Sequence, residues 1–380
     1  MGSIKRLLWL GVLASTVLAS AVEKMADGVY AQFETPRGSF TVELDIGRAP
    51  MTAAHFIGLA EGRIAARDGQ PYYTGLKWYR VVPGFVIQSG NPNYPEEGTA
   101  GPAFPDEFVP GLRHSSAGVL SMANHGPDTN GGEFFLTLGD QTRLNYLHSV
   151  FGHVFTGQEV LPLIQAGDAF SIRILRVGDA GRAFQADEAG FQLLAARAKK
   201  YSGTDEPGPT AHFDDPDGLL PVEPPRARAF NFKLANYERA TGLKIMARFF
   251  AQPPPAAEDE VAGAYMRQLA QKLGVARTGV LVAFFAPDDW RIWFGDDVVP
   301  AFLGRPVSPD DLREGGALHD AKEALVEAAL KRGDEAFAAE QNAAPPGQPL
   351  PPAHQLKLQT DALLDALLLR LEPRRPSSLP

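Results

Sequence analysis

Three runs of the chain hold the side chains able to do chemistry. RVVPGFVIQSG spans residues 80–90, LSMANHGPDTNGGEFFLTL spans 120–138, and LNYLHSVFGHV spans 144–154. They contribute a guanidinium at Arg80, phenyl rings at Phe85 and Phe135, and amides at Gln88 and Asn124. The apolar Val86, Ala123 and Leu144, the carboxylate of Glu133 and the imidazole of His148 complete the set. A guanidinium is always charged and presents several donors in a rigid fork. Rings and aliphatic groups line an apolar pocket, and amides hold a peptide backbone. Taken singly, each residue reads as ordinary: an exposed strand arginine, core aromatics, a polar strand face. Their order and spacing give them weight. The chain has no cysteine, which excludes disulfides, thiolate metal sites and cysteine nucleophiles. Its eight histidines show no HExxH or similar metal spacing.

These runs resemble the cyclophilins, the family that catalyses rotation about X–Pro peptide bonds. Uncatalysed, that rotation faces a barrier of about 18–20 kcal/mol and takes on the order of tens to hundreds of seconds at 25 °C. The resemblance implies that Arg80 is the catalytic arginine. Phe85, Phe135 and Leu144 match the proline pocket, with Val86 standing where many members have Met, and His148 matches the rim histidine. Gln88 matches the glutamine that bonds the substrate backbone. Ala123 and Asn124 match the segment that pairs with an extended substrate, and Asn130, Gly131 and Gly132 the turn behind it. Two positions depart from the common pattern. Glu133 stands where most members have Gln, adding a negative charge that would either pair with Arg80 or favour basic residues near the proline. Arg143 stands where the cyclosporin-sensitive members have Trp, which implies weak cyclosporin binding. Asn145 and Tyr146 replace a common Asp-Gly and read as loop variation. The family chemistry implies proline-containing polypeptides as substrates and no cofactor or metal.

A chain of 380 residues is long enough for two or three domains. At 44% hydrophobic and 21% charged it has the composition of a globular protein. A formal net charge of −9 argues against non-specific nucleic-acid binding, which needs a basic face. Lys5 and Arg6 precede an uncharged stretch from Leu7 to Val22 that ends in the small residues Ala19-Ser20-Ala21. That order predicts a signal peptide over residues 1–21 and export, to the periplasm in a bacterium, with an uncleaved membrane anchor as the alternative.

The elements that position the three runs follow from pattern. Residues 28–46 alternate as two strands about Pro36-Arg37-Gly38. Residues 50–62 read as a helix that Thr52 would cap and Gly62 would end. Short strands are predicted at 77–82, 85–88, 118–123, 133–138, 150–154 and 171–177, with a second helix over 158–166. Many short strands and two helices predict a closed antiparallel β-barrel capped by helices, the cyclophilin architecture, over residues 28–180.

Residues 203–226, rich in Pro, Gly and Asp, read as a linker or long surface loop. Beyond it, NYERATGLKI reads as helix into strand, 259–275 as an amphipathic helix, and 278–286 with 289–298 as a strand pair around a Pro-Asp-Asp turn. This order predicts an α/β domain over 227–341, and its strands and long helix are similar to the TPM-domain family. That resemblance implies docking to a membrane or a protein, with a phosphatase-type hydrolase as the alternative. The pairs Asp288-Asp289 and Asp296-Asp297 offer hard oxygen ligands for a divalent cation, though two solvated turns are the simpler reading. Residues 342–380 read as a Pro-rich spacer and a last helix over 355–371, too short in its apolar run to span a membrane.

Overall fold

The computed structural model describes residues 25–64, 70–94, 103–261, 263–345 and 347–373. The signal segment read over residues 1–21 lies outside them. Strands β1 (Gly28–Thr35) and β2 (Gly38–Leu44) pair antiparallel with Thr35 opposite Gly38. The sheet continues with β3 (Arg80–Val82), β4 (Val86–Ser89), β5 (Val119–Met122), β6 (Phe134–Thr137), β7 (Val150–Thr156) and β8 (Ser171–Val177). Neighbours run in the order β3-β4-β6-β5-β7-β2-β1-β8. The sheet curls over an aromatic interior in which Phe33 stacks on Phe40 at 4.7 Å and Trp78 lies 4.7 Å from Phe170.

The expected closed barrel is corrected to an open, curled sheet. No ladder joins the end strands β3 and β8. The segments leading into them meet through one isolated bridge, Lys77 to Ala169. The antiparallel register of that bridge sets β8 opposite the residues before Lys77, so β3 lies on the other side of the bridge and the two strands never run side by side.

Helix α1 (Pro50–Glu61) fills one end and is buried on nearly every face. Gly62 ends it in the left-handed conformation, as expected, but Thr52 is not its cap. Glu107 instead reaches in from a distant loop. Its carboxylate accepts from Met51 N at 3.2 Å, Thr52 N at 2.8 Å and Thr52 Oγ1 at 2.9 Å. The expected second helix is a 3₁₀ helix, Gln158–Leu163, because Pro162 cannot donate within an α-helical turn. Two helices beyond residue 177 were not foreseen, α2 (Gly178–Ala183) and α3 (Glu188–Ala195). Eight residues of α3 would be marginal alone. Asp187 caps Gly190 N at 2.8 Å, and Phe191 packs on His55 and Phe104 at 4.9 and 5.6 Å.

The C-terminal region is an α/β layer, as its pattern indicated. Strands β9 (Phe213–Asp214), β10 (Ile245–Phe250), β11 (Val280–Phe285) and β12 (Asp289–Phe294) lie in the order β12-β11-β10-β9, parallel except for β12. Helices α4 (Arg226–Thr241), α5 (Ala264–Lys272), α6 (Val299–Leu303), α7 (Ala317–Ala343) and α8 (Pro352–Leu371) accompany them. Alternation sorts the faces. Ile245, Ala247 and Phe249 pack with Leu234 and Tyr237 of α4 and Leu364 of α8, while Met246 packs with Met266 and Ala270 of α5. Residues 203–226 are not a bare linker, since they supply β9 and bury Phe213 in this core. Helix α5 starts at Ala264 rather than near 259, because Gly263 takes a left-handed turn that leaves Val261 exposed. None of the described helices is long and apolar enough to cross a membrane.

The two regions are joined by buried polar contacts. Arg239 of α4 donates to Asp128 Oδ1 at 2.6 Å and to Asp106 Oδ2 at 3.3 Å, with its guanidinium 5.3 Å from the Phe108 ring. Tyr146 is no mere loop variant. It holds φ 60° and buries its ring against Tyr237 at 5.0 Å. Its carbonyl accepts from Asn236 Nδ2 at 2.8 Å, and its hydroxyl donates to Glu372. Replacing Arg239 with Met should lower stability by about 3–5 kcal/mol, because Asp106 would keep its burial and lose its cation. Urea unfolding checks this, and a loss below about 1 kcal/mol, typical of an exposed pair, would refute it.

Candidate active site

Four short elements bring the three runs together. Hairpin β3–β4 sets Arg80 opposite Gln88, and β4–β6 sets Gln88 opposite Phe135. Gly90, at φ 101°, must be glycine, because an added Cβ would strike Gly132 O and the Glu133 backbone. The turn glycines Gly131 and Gly132 do not take a positive φ.

Val86, Ala123 and Phe135 form a small apolar cluster of their own, with Phe85 and Leu144 packed against it. It stands apart from the main core. A polar row runs alongside. The exposed Arg80 donates from Nη1 to Gln88 Oε1 at 2.9 Å, and Gln88 Nε2 donates to Tyr79 OH at 2.9 Å. Glu133 does not pair with Arg80. Its Oε2 lies 3.5 Å from Gln88 Nε2, so the glutamine sits between the two charges. Burial pushes the Glu133 carboxyl up from its ordinary range, and donors from Asn91, Tyr79 and Gln88 pull against that.

The Phe85 ring carries two cations, Arg80 at 5.5 Å and Arg143 at 4.7 Å. Arg143 thus lies against the edge of the apolar cluster. His148 meets Phe135 edge-on at 5.4 Å, and its Nδ1 lies 3.0 Å from Met122 O. Asn124 donates from Nδ2 to Leu147 O at 2.9 Å, which ties the second run to the third.

Sequence reasoning missed two residues that shape this site. Tyr79, beside Arg80, holds the Gln88 amide. His114, fully buried, stacks on Phe135 at 5.8 Å, with Nδ1 3.0 Å from Asn145 Oδ1 and Nε2 2.9 Å from Ser121 Oγ. Nothing local to His114 signals this, since its partners come from β5 and the loop after β6. The acidic pairs give no cluster. Asp289 pairs with Arg291 and Asp297 with Arg277, and no group of three possible metal ligands occurs among the described residues.

The family model for cyclophilin-type peptidyl-prolyl cis-trans isomerases matches residues 30–178. Peptidyl-prolyl cis-trans isomerase-like 1 of Aspergillus fumigatus is 42% identical over 132 residues, covering 34% of this chain and 77% of that protein. Peptidyl-prolyl cis-trans isomerase A of Mycobacterium tuberculosis is 38% identical over 135 residues, 34% of this chain and 74% of its own. A solved cyclophilin-type isomerase of Cryptosporidium parvum aligns with 27% identity and a TM-score of 0.34, over 40% of this chain and 98% of that one. The chain belongs to the cyclophilin-type peptidyl-prolyl cis-trans isomerases. It is therefore an isomerase of X–Pro peptide bonds, EC 5.2.1.8.

Burial depresses the His114 imidazole to about 3 and that of His148 to about 4, so both are neutral near pH 7. The unfolded chain binds these protons near pH 6.5. The stability that neutral His114 contributes is complete above about pH 6.5 and is lost as pH falls toward about 3. Below pH 6, wild type should lose about 1.4 kcal/mol per pH unit relative to His114→Gln. Parallel curves in urea titrations from pH 7 to 4 would exclude this.

Proposed function

We propose that this isomerase works without covalent chemistry, with Arg80 donating at the proline nitrogen while the cluster of Val86, Ala123 and Phe135, walled by Phe85 and Leu144, grips the proline ring. A donor at that nitrogen favours its pyramidal, non-conjugated form, so the stabilisation is felt in the twisted state more than in either planar one. Gln88, Ala123, Asn124 and His148 hold the flanking peptide. The observation that carries this reading is the juxtaposition of an exposed arginine with an apolar cluster kept separate from the core.

One feature favours a second reading, a module that binds proline segments with weak turnover. Glu133 and Tyr79 both draw on Gln88 Nε2 while Arg80 occupies its Oε1, so both ends of the amide are engaged within the protein. Isomerisation of an X–Pro peptide separates the two. Arg80→Ala should lower kcat/KM about 10²–10³-fold, the range for loss of one transition-state donor. An unimpaired variant would remove Arg80 from the chemistry. Glu133→Gln should raise kcat/KM by up to about tenfold if the carboxylate holds the site back, and an unchanged rate makes it a bystander. Cyclosporin added to the same assay should inhibit weakly, because Arg143 supplies no indole donor at the rim.

The proposed clients are exported proteins. The basis is the order of charge, apolar stretch and small residues over 1–21. Intact mass from the native compartment should show a chain starting near residue 22, and retention of residues 1–21 would point to an anchor. The C-terminal layer, with its TPM-like pattern, is proposed to dock the isomerase on a protein or membrane surface.

A further inference from the structure

A cleft of about 270 Å³ opens beside the pocket, between the sheet domain and the C-terminal domain. Asn124, Leu147 and His148 line one wall, and Arg228, Phe232 and Asn236 of α4 line the other. The helix residues recur at spacings of four, so they occupy one face of α4. A different face, through Phe230, Leu234 and Tyr237, enters the domain core. Helix α4 therefore serves two surfaces, and the second confronts two of the residues read as substrate-binding.

The chemistry of that wall is that of a peptide site. Phe232 is half-buried, flanked by the Arg228 guanidinium at 5.3 Å and by the Tyr201 ring at 5.8 Å. Asn236 is 1% exposed. Its Nδ2 is spent on Tyr146 O at 2.8 Å, while its Oδ1 has no donor among the described residues. A buried acceptor left open is unfavourable. Arg228 Nε faces Glu206 Oε1 at 3.3 Å without hydrogen-bond geometry. One open acceptor, one incompletely used guanidinium and a ring between them match a stretch of extended main chain. Such a chain brings an N–H, a carbonyl and a side chain in succession.

We propose that the C-terminal domain lengthens the substrate groove, and that this cleft takes a residue of the same polypeptide flanking the X–Pro pair. Its amide donates to Asn236 Oδ1, its carbonyl accepts from Arg228, and an apolar or aromatic side chain rests on Phe232. Because Asn124 and His148 border both pocket and cleft, an extended chain passes from one to the other without a break. This rests on the active-site reading above and adds a preference for long substrates to it.

The test uses the full chain and two peptides with the same X–Pro core, one of four residues and one of twelve extended on both sides. Wild type should favour the longer peptide by about tenfold in kcat/KM, the equivalent of about 1.4 kcal/mol. Phe232→Ala and Arg228→Ala, made separately and checked for folding by their urea midpoints, should each cut that ratio to within about twofold. Equal handling of the two peptides by wild type, or an undiminished ratio in both variants, overturns the proposal. Calorimetric binding of the twelve-residue peptide is measured in parallel. If neither peptide is turned over, the isomerase-site reading fails. The cleft is then judged by whether the two variants weaken that binding.

Discussion

One buried carboxylate ties the loops of the curled sheet to the C-terminal layer. Asp106 Oδ1 accepts from Asn130 Nδ2 at 2.8 Å and approaches Asn124 Nδ2 at 3.4 Å. Its Oδ2 accepts from the Asp128 amide at 2.8 Å and from Arg239 at 3.3 Å. Burial pushes its carboxyl above the ordinary range, and these donors pull the other way. A carboxylate so placed is tolerable only when it is surrounded by donors and a cation. The loop carrying Asn124, the turn at Asp128–Asn130 and helix α4 therefore converge on one residue. Movement in any of them exposes the others to an unpaired charge.

Tyr146 makes the second tie. A tyrosine at φ 60° is strained, since its Cβ crowds the backbone where glycine has none. The surroundings hold it there. Its ring fills a place in the C-terminal core, and both its polar groups are bonded across the boundary. His148 follows two residues later, so the imidazole that meets Phe135 stands next to a segment anchored by the C-terminal layer, which adds no residue to the apolar cluster. The cleft along α4 is a consequence of the same docking.

The apolar cluster and the polar row beside it meet at few points. The apolar cluster touches the polar row at Phe85, which faces both Arg80 and Arg143, and along β4, where Gln88 is two residues from Val86. The Arg80–Gln88–Glu133 sequence gives the guanidinium a neutral neighbour and places the negative charge one residue further off. Arg80 spends one donor on Gln88 Oε1, and the glutamine's own donors turn toward Tyr79 and Glu133.

Local pattern was enough for much of this. Alternation and turn residues placed the strands within a few residues, because a half-buried strand needs period two and its ends need Gly or Pro. The resemblance carried by the three runs named Arg80, Phe85, Val86, Gln88, Ala123, Asn124, Glu133, Phe135, Leu144 and His148, and the pairing of β3 with β4 and of β4 with β6 sets Arg80, Gln88 and Phe135 side by side. What sequence could not supply depends on contacts between distant residues. Glu107 caps α1 from 55 residues away, His114 supports Phe135 from another loop, and the opening between β3 and β8 follows from the register of the Lys77–Ala169 bridge, which leaves the two strands on opposite sides of it. Residues 203–226 looked like a spacer because Pro and Gly dominate them, yet two of their residues complete a sheet whose other strands come later. Propensity and periodicity are properties of a segment and can be read in it. The carboxylate that Arg239 neutralises and the core that Tyr146 enters exist only once two domains have met, and only the tertiary structure decides them.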